Sequence, residues 1–116
     1  MKTIDLTKSK WVKRFTYKKV VLFKKWMPEN TRFQVVKFAR NTSIKPHYHL
    51  KTVEIYIVLS GKGDLGINGL WYPLNKNRMY LIEPNDIHEI ETKTGIKIAI
   101  FKPYEVKGDI LWTKKA

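Results

Sequence analysis

The sequence predicts an all-β fold, a sandwich or barrel of packed antiparallel sheets. Three observations carry this expectation: many short segments rich in β-branched and aromatic residues, turn residues between them, and no amphipathic helix of useful length. The 116 residues fit one domain, 1–116, and 43% of them are hydrophobic against 28% charged, which is typical of a folded chain.

The first half of the chain contains three predicted strands. Residues 18–26 are rich in Val, Leu, Phe and Trp, and a Pro-Glu-Asn turn follows them. Residues 32–40 form the second predicted strand, and residues 41–46 are predicted to be a loop. Residues 53–59 (VEIYIVL) are the clearest strand in the chain, and they end at a Ser-Gly pair. Residues 8–17 have a composition that favours an extended segment over a helix.

The second half predicts a hairpin followed by more short strands. Asn68 and Gly69 lie between two apolar runs, and both residue types tolerate the positive φ of a tight hairpin turn. The turn-forming segment 83–86 then separates two further runs, and the last run alternates apolar and polar residues. The predicted strands of this half are 65–67, 70–74, 79–82, 87–91 and 96–102.

Charge and cysteine content narrow the possible functions. Residues 1–45 carry thirteen Lys and Arg against Asp5 and Glu29, whereas the remainder carries ten against eight acids, within a net charge of +13. This uneven distribution of charge indicates one of two things. It is either a surface that binds nucleic acid or another acidic ligand, or a lysine-rich solvated surface of the kind some thermophile proteomes show. We favour the second because no nucleic-acid-binding motif accompanies the dispersed lysines. A chain without cysteine excludes disulfides, thiolate metal sites and a thiol nucleophile.

No membrane or targeting segment is visible in the sequence. The longest apolar run has only a few residues, far fewer than the ~20 that a membrane-spanning helix needs. Charges interrupt residues 1–25, which therefore hold no signal-peptide core. We expect a cytoplasmic protein without a membrane partner.

The three histidines and one glutamate form the candidate chemical site. His47 and His49 are two apart, so on a strand both imidazoles point to one face. Glu54 shares its strand face with apolar residues, where a carboxylate is costly to bury unless it is paired or bound to a cation. His88 follows a predicted turn. A histidine pair alone is also typical of a polar strand edge, but the four residues together favour a metal site.

These residues resemble the two motifs of the cupin superfamily. The first motif appears as His47, His49, Glu54 and Gly61, and the second as Pro84 followed by His88. The second is looser, since Glu83 and Asn85 stand where the family often has proline and glycine, although asparagine tolerates the left-handed conformation of such a turn.

The resemblance implies a double-stranded β-helix, or jelly-roll barrel, over about residues 20–112, preceded by a basic N-terminal segment, 1–19. It also implies that His47, His49, Glu54 and His88 ligate one divalent transition metal ion. A ligand set of three imidazoles and a carboxylate suits Fe, Mn, Ni, Cu, Co or Zn. The expected partners are a small-molecule substrate or ligand and a second copy of the chain, with residues 18–26 as a candidate homodimer interface.

Such a site is compatible with three functions. A redox-active metal serves a dioxygenase, a Lewis-acidic metal serves an isomerase or decarboxylase, and a tightly held metal can support a non-catalytic sensor of small molecules. We expect the dioxygenase-like enzyme. Tyr56 and Tyr80 are the candidate pocket residues, in a lining expected to be apolar and suited to an aromatic or hydrophobic substrate. No catalytic base is evident beyond the ligands, which argues against a sugar epimerase.

Overall fold

The computed structural model describes residues 1–113, which form eleven β-strands and one short 3₁₀ helix, Lys24–Trp26. The strands build two antiparallel sheets, so the all-β prediction is confirmed. In chain order the strands are β1 (Val12–Arg14), β2 (Tyr17–Leu22), β3 (Arg32–Phe38), β4 (Thr42–His49), β5 (Glu54–Gly61), β6 (Gly63–Ile67), β7 (Leu70–Leu74), β8 (Met79–Ile82), β9 (His88–Thr92), β10 (Ile96–Lys102) and β11 (Ile110–Trp112).

The two sheets face each other across the hydrophobic core. The larger sheet has the strand order β1-β2-β3-β10-β5-β8, and the smaller has β11-β4-β9-β6-β7. From β3 onward the chain changes sheet seven times, at every connection except the β6–β7 hairpin, so side chains of both sheets meet in the interior. These crossings bring the start of β5 opposite the end of β4 and the start of β9.

Strand alternation decides which side chains face the interior. On β5, Glu54, Tyr56 and Val58 are buried, while the residues between them are partly exposed. On β10, Ile98 and Ile100 are buried in the same core. The predicted parity of the glutamate with an apolar stripe is therefore confirmed, because side chains two apart on a strand share a face.

The N-terminal segment covers the outer face of the larger sheet. Leu6 and Trp11 pack against a second cluster formed by Leu22, Val35 and Ala99. The Trp11 indole N–H donates a hydrogen bond to the Leu6 carbonyl at 3.1 Å, which holds this segment in a compact loop. The larger sheet starts at β1, within the basic segment, and extends from there to β8.

The predicted loop over residues 41–46 is wrong for all but its first residue. Residues 42–46 belong to β4, which spans Thr42–His49, and only Asn41 lies in the turn before it. The pairing of β4 with β9 is interrupted between Ile44 and His47. Pro46 lies in this irregularity, where the ladder does not require an N–H donor, so a proline is tolerated inside the strand.

The predicted strand over residues 18–26 is correct only in its first part. β2 ends at Leu22, because Phe23 adopts a left-handed conformation (φ 52°) and the chain continues into the 3₁₀ helix. β2 is paired with β1 on one side and β3 on the other within the same chain.

Two further expectations concern the hairpin and the membrane. Asn68 and Gly69 join β6 to β7 with φ values of 50° and 88°, so the predicted tight turn is confirmed. Among residues 1–113 we find no helical segment with the length and hydrophobicity that a bilayer span requires.

Candidate metal centre

Three buried histidines meet between the two sheets. His47 and His49 are alternate residues of β4, and His88 opens β9 as the register partner of His47. The ring centroids of His47 and His88 are 4.1 Å apart, and those of His49 and His88 are 5.6 Å apart. One ring nitrogen of each lies within 4.8 Å of the other two, so the three histidines could hold a metal ion.

The turn before β9 fixes His88 relative to β4. Asn85 adopts the left-handed conformation expected of it, with φ 72°. The Asp86 carboxylate accepts a hydrogen bond from the Glu83 N–H at 2.9 Å, which closes the turn. The Asn85 N–H donates to the His49 carbonyl at 2.8 Å, so the turn is attached directly to the histidine strand.

Hydrogen bonds behind the rings assign one tautomer to all three histidines. Nδ1 of His47 lies 2.8 Å from the Lys45 carbonyl, and Nδ1 of His88 lies 2.8 Å from the Asp86 carbonyl. Nδ1 of His49 lies 3.2 Å from the carboxylate of Asp109. Carbonyl and carboxylate oxygens only accept, so each Nδ1 carries the proton. In the neutral form, each ring therefore presents its Nε2 lone pair, as a metal ligand requires.

Glu54 lies opposite the histidines at the start of β5. The side chain is 4% exposed, and its Oε1 lies 3.4 Å from His49 Nε2 and 3.2 Å from His88 Nε2. Among residues 1–113, no group forms a hydrogen bond with the buried His88 Nε2 despite this short distance. A carboxylate oxygen and imidazole lone pairs repel one another unless a proton or a metal ion lies between them. The donor set therefore fits a cation.

The site is electrostatically coupled. Burial, together with the neighbouring His88, lowers the pKa of His47 to about 4, so this ring is neutral at physiological pH. Burial also opposes charge on His49, but Glu54 and Asp109 outweigh it and raise the pKa of His49 above its ordinary value. Burial would raise the pKa of Glu54, yet its histidine neighbours and Lys102 hold that pKa well below its usual range.

Asp109 is a functional residue that the sequence reasoning missed. In addition to His49, its carboxylate accepts hydrogen bonds from the Lys51 and Thr52 N–H groups, both at 2.9 Å, and from the Thr52 hydroxyl at 3.0 Å. It ties the loop after β4 to the C-terminal segment. Sixty residues separate Asp109 from His49, and no local motif marks it.

Lys102 is a second residue near the site that the sequence analysis did not predict. Its place in the alternating pattern of β10 could have indicated that it is buried. It continues the buried alternation of Ile98 and Ile100 on β10 and is only 8% exposed. Its Nζ lies 2.9 Å from a Glu105 carboxylate oxygen and 3.7 Å from Glu54 Oε2. A lysine on a core stripe is unusual unless an anion partner or a ligand accompanies it.

The two predicted tyrosines lie in different places. The Tyr56 hydroxyl lines the cavity beside the histidines, 3.5 Å from Glu54 Oε1, and burial raises the pKa of this phenol well above its ordinary value. The Tyr80 hydroxyl accepts a hydrogen bond from the Asn75 N–H and donates one to the Pro73 carbonyl, both at 2.9 Å. Tyr80 lines a separate cavity between β7 and β8.

The cavity lined by His47, His49 and Glu54, which we call the histidine cavity, is small and otherwise mostly apolar. Its volume is about 70 Å³, and Val36, Phe38 and Ile100 contribute to its walls. The Trp112 ring of β11 also packs on His47, with 5.0 Å between the ring centroids. This enclosure limits the water around the histidines and strengthens any interaction with a cation there.

Comparison with known proteins identifies similar folds. A family model described as Cupin domain matches residues 34–100, which include all three histidines and Glu54. A comparison with curated proteins gives no match to this sequence. Among solved structures, the polyketide cyclase RemF from Streptomyces resistomycificus has a TM-score of 0.84 at 17% identity, with 100% of this chain and 87% of that chain covered.

Two further solved structures are similar. A Cupin 2 conserved barrel domain protein from Salinispora arenicola has a TM-score of 0.77 at 16% identity, with 91% and 90% of the two chains covered. A salicylate 1,2-dioxygenase from Pseudaminobacter salicylatoxidans has a TM-score of 0.68 at 15% identity, covering 76% of this chain and 26% of that chain. At these identities the likeness shows the fold alone.

Proposed function

Because the chain belongs to the cupin family, whose domain model matches residues 34–100, we propose that it binds one divalent transition metal ion and acts as a dioxygenase-like enzyme on a small molecule. The observation that carries the proposal is the cluster of three buried histidines, whose ring nitrogens lie within 4.8 Å of one another, with Glu54 Oε1 close to the Nε2 atoms of His49 and His88. We assign the ligands as His47, His49, Glu54 and His88, in agreement with the family motifs.

The burial of Glu54 supports this assignment, because a buried carboxylate without a compensating positive charge destabilises the fold. A buried carboxylate within 3.4 Å of two imidazole nitrogens is stable only if a positive charge is shared among them. Without a metal ion, the chain offers only a proton on His49, whose pKa Glu54 and Asp109 raise, and the charge of Lys102, whose Nζ is 3.7 Å from Glu54 Oε2 and so beyond hydrogen-bond distance. A divalent ion would satisfy the carboxylate and the lone pairs of His49 and His88 together.

The metal supplies either redox chemistry with O₂ or Lewis-acid polarisation of a substrate carbonyl when it is bound. The chain's own residues hold and orient it: the Nδ1–H hydrogen bonds keep the three rings aimed inward. The apolar walls exclude water from the space beside them. Tyr56 keeps its proton at neutral pH and places a hydroxyl donor in the same cavity.

The protonated Tyr56 favours a second candidate function, a metal-dependent isomerase or decarboxylase. Such reactions build up negative charge on a substrate oxygen, and a phenol that retains its proton can donate a hydrogen bond to that oxygen. The Tyr56 hydroxyl lies in the cavity with Glu54, so it is the group that would donate this hydrogen bond.

Metal analysis of untagged protein tests the ligand assignment. We expect about one equivalent of metal in the wild type, a loss of affinity of at least about tenfold in Glu54→Gln, and no stoichiometric metal in the double variant His47→Ala/His49→Ala. The exposed Glu91→Gln on β9 is the matched control, because it removes the same charge from the strand of His88. Full metal occupancy in both the glutamate variant and the double histidine variant would contradict the proposal.

Oxygen uptake with iron-loaded protein and a panel of small aromatic and aliphatic acids then separates the functions. Substrate-dependent uptake that is lost in Glu54→Gln supports the dioxygenase. Turnover without uptake, abolished in Tyr56→Phe, supports the isomerase or decarboxylase instead. Tight binding without turnover would identify a sensor and would refute the enzymatic proposal.

A further inference from the structure

A second cavity adjoins the histidine cavity and opens to the solvent. It has a volume of about 410 Å³, and we call it the vestibule. The two cavities share wall residues: Tyr17, His49, Lys102 and Ile110 line both. A molecule that occupies the vestibule therefore lies against a wall that includes His49, one of the candidate metal ligands.

The vestibule has an excess of positive charge. Among the residues that the structure describes, its lining includes five basic side chains and two acidic ones, Glu105 and Asp109. The acids are already engaged by their neighbours, because Asp109 accepts backbone hydrogen bonds and Glu105 binds two of the cations. The basic residues of the lining are Arg14, Lys19, Arg32, Lys102 and Lys107.

Two lysines of the lining have donors and like-charged neighbours that an anion could engage. Lys102 is more than nine-tenths buried, and in the described part of the chain Glu105 accepts the one hydrogen bond that its three N–H donors make, while the Glu54 carboxylate lies 3.7 Å from Nζ. Burial, followed by the like charges of Lys102, Arg14 and Arg32, lowers the pKa of Lys19. An anion among these groups would add countercharge and would accept the donors that Lys102 does not use.

An aromatic edge continues the vestibule wall. Phe15 lines it, sits in the two-residue turn between β1 and β2, and adopts the left-handed conformation with φ 47°. Its ring packs edge-on against Trp112, with the centroids 4.9 Å apart. This contact holds an exposed apolar surface next to the cations, where the body of an organic molecule can rest.

We propose that the vestibule binds the oxyanion of a small organic acid, a carboxylate or phosphate group, and so positions the rest of that molecule toward the candidate metal centre. The proposal rests on the proposed function, since it names the substrate class for the same site. Arg14 and Lys19 attract and hold the anion at the rim, and Lys102 contacts it from the buried wall. This extends the expected hydrophobic or aromatic substrate to one that carries an acid group.

Calorimetric titration of zinc-loaded and of metal-free protein with benzoate, phenyl phosphate and benzamide tests the proposal. The titrations use a constant ionic strength of about 0.15 M, because screening weakens exposed charges. We expect at least one of the two anions to bind, and neutral benzamide to bind at least about tenfold more weakly than that anion. The comparison of benzoate with phenyl phosphate distinguishes the two sources of the oxyanion.

A pair of double variants supplies the matched control. Arg14→Gln/Lys19→Gln removes two cations from the vestibule wall and should weaken anion binding at least about tenfold. Lys13→Gln/Lys18→Gln removes the same charge from the same two strands, but at positions that do not line the vestibule, and should leave binding unchanged. Circular dichroism and thermal unfolding confirm that both variants fold.

The outcomes separate this inference from the metal proposal. Anion binding that depends on Arg14 and Lys19 in metal-free protein supports the vestibule even if the metal assignment fails. Equal weakening by both double variants, equal binding of benzamide, or no anion binding below about 10 mM would overturn the inference. Metal content is measured separately on each sample, so a vestibule without anion affinity leaves the metal proposal standing.

Discussion

Replacing Asp109 with asparagine tests whether its carboxylate sets the tautomer of His49. One oxygen, Oδ2, accepts the Lys51 and Thr52 N–H groups, and the other, Oδ1, faces His49 Nδ1 at 3.2 Å. An asparagine amide has only one acceptor oxygen. If this oxygen stays with the two backbone donors, the amide NH₂ faces His49 Nδ1–H, and two donors oppose each other. The ring then favours the tautomer that protonates Nε2, the atom assigned to the metal.

The size of the effect follows from this contact. Loss of a hydrogen-bond partner behind a ligating histidine costs about 10- to 100-fold in metal affinity, or about 1.4–2.7 kcal/mol. The His49–Asp109 distance of 3.2 Å is at the long end for a hydrogen bond. We therefore expect Asp109→Asn to weaken zinc binding by the lower part of that range, about 10- to 30-fold.

Competition with a colorimetric chelator at pH 7.5 measures the zinc affinity of wild type and variant, and ¹⁵N NMR of the imidazole nitrogens reports the tautomer. Asp64→Asn is the control, because Asp64 is an exposed residue of β6 with the same chemistry. An Asp109→Asn protein that is folded, keeps the proton on His49 Nδ1 and binds zinc within twofold of wild type would refute the reasoning.

Two further predictions concern stability. Arg32 and Lys102 hold the pKa of Glu105 below its usual range although burial opposes this, so Glu105 stabilises the fold above the ordinary glutamate pKa, about 4.3, and the contribution is lost as the pH falls through the lowered pKa. Urea unfolding from pH 7 to 3 should give a flatter acid limb for Glu105→Gln, and an unchanged slope would contradict this. Gly61→Ala should destabilise the protein by about 2 kcal/mol or more, because Gly61 has φ +85° and an added Cβ would collide with the Gly95 carbonyl. A thermal unfolding midpoint indistinguishable from that of the wild type would refute that prediction.

The sequence predicted the features that depend on local pattern. Alternation located β5 and β10, the Asn68 and Gly69 pair located the β6–β7 turn, and the histidine spacing indicated one shared cavity. These three predictions succeeded because strand parity and turn geometry are determined by neighbouring residues along the chain.

The remaining features depend on contacts between distant segments. Residues 41–46 were predicted to be a loop, but the pairing of Thr42, Ser43 and Ile44 with β9 makes most of this segment a strand. Asp109 reaches His49 from the far end of the chain, so no spacing could indicate it. Lys102 could have been predicted from its parity with Ile98 and Ile100, but the sequence analysis assigned it no role in the site.

The packing of Trp112 on His47 gives the protein an intrinsic optical probe. Indole emission responds to a charge or a quenching ion held close to the ring, and the two ring centroids are separated by 5.0 Å. The chain has four tryptophans, of which Trp11 lies on the outer face of the larger sheet and Trp71 on β7. Replacing the other three with phenylalanine would leave an emission spectrum that follows cation binding and release in real time, without a label.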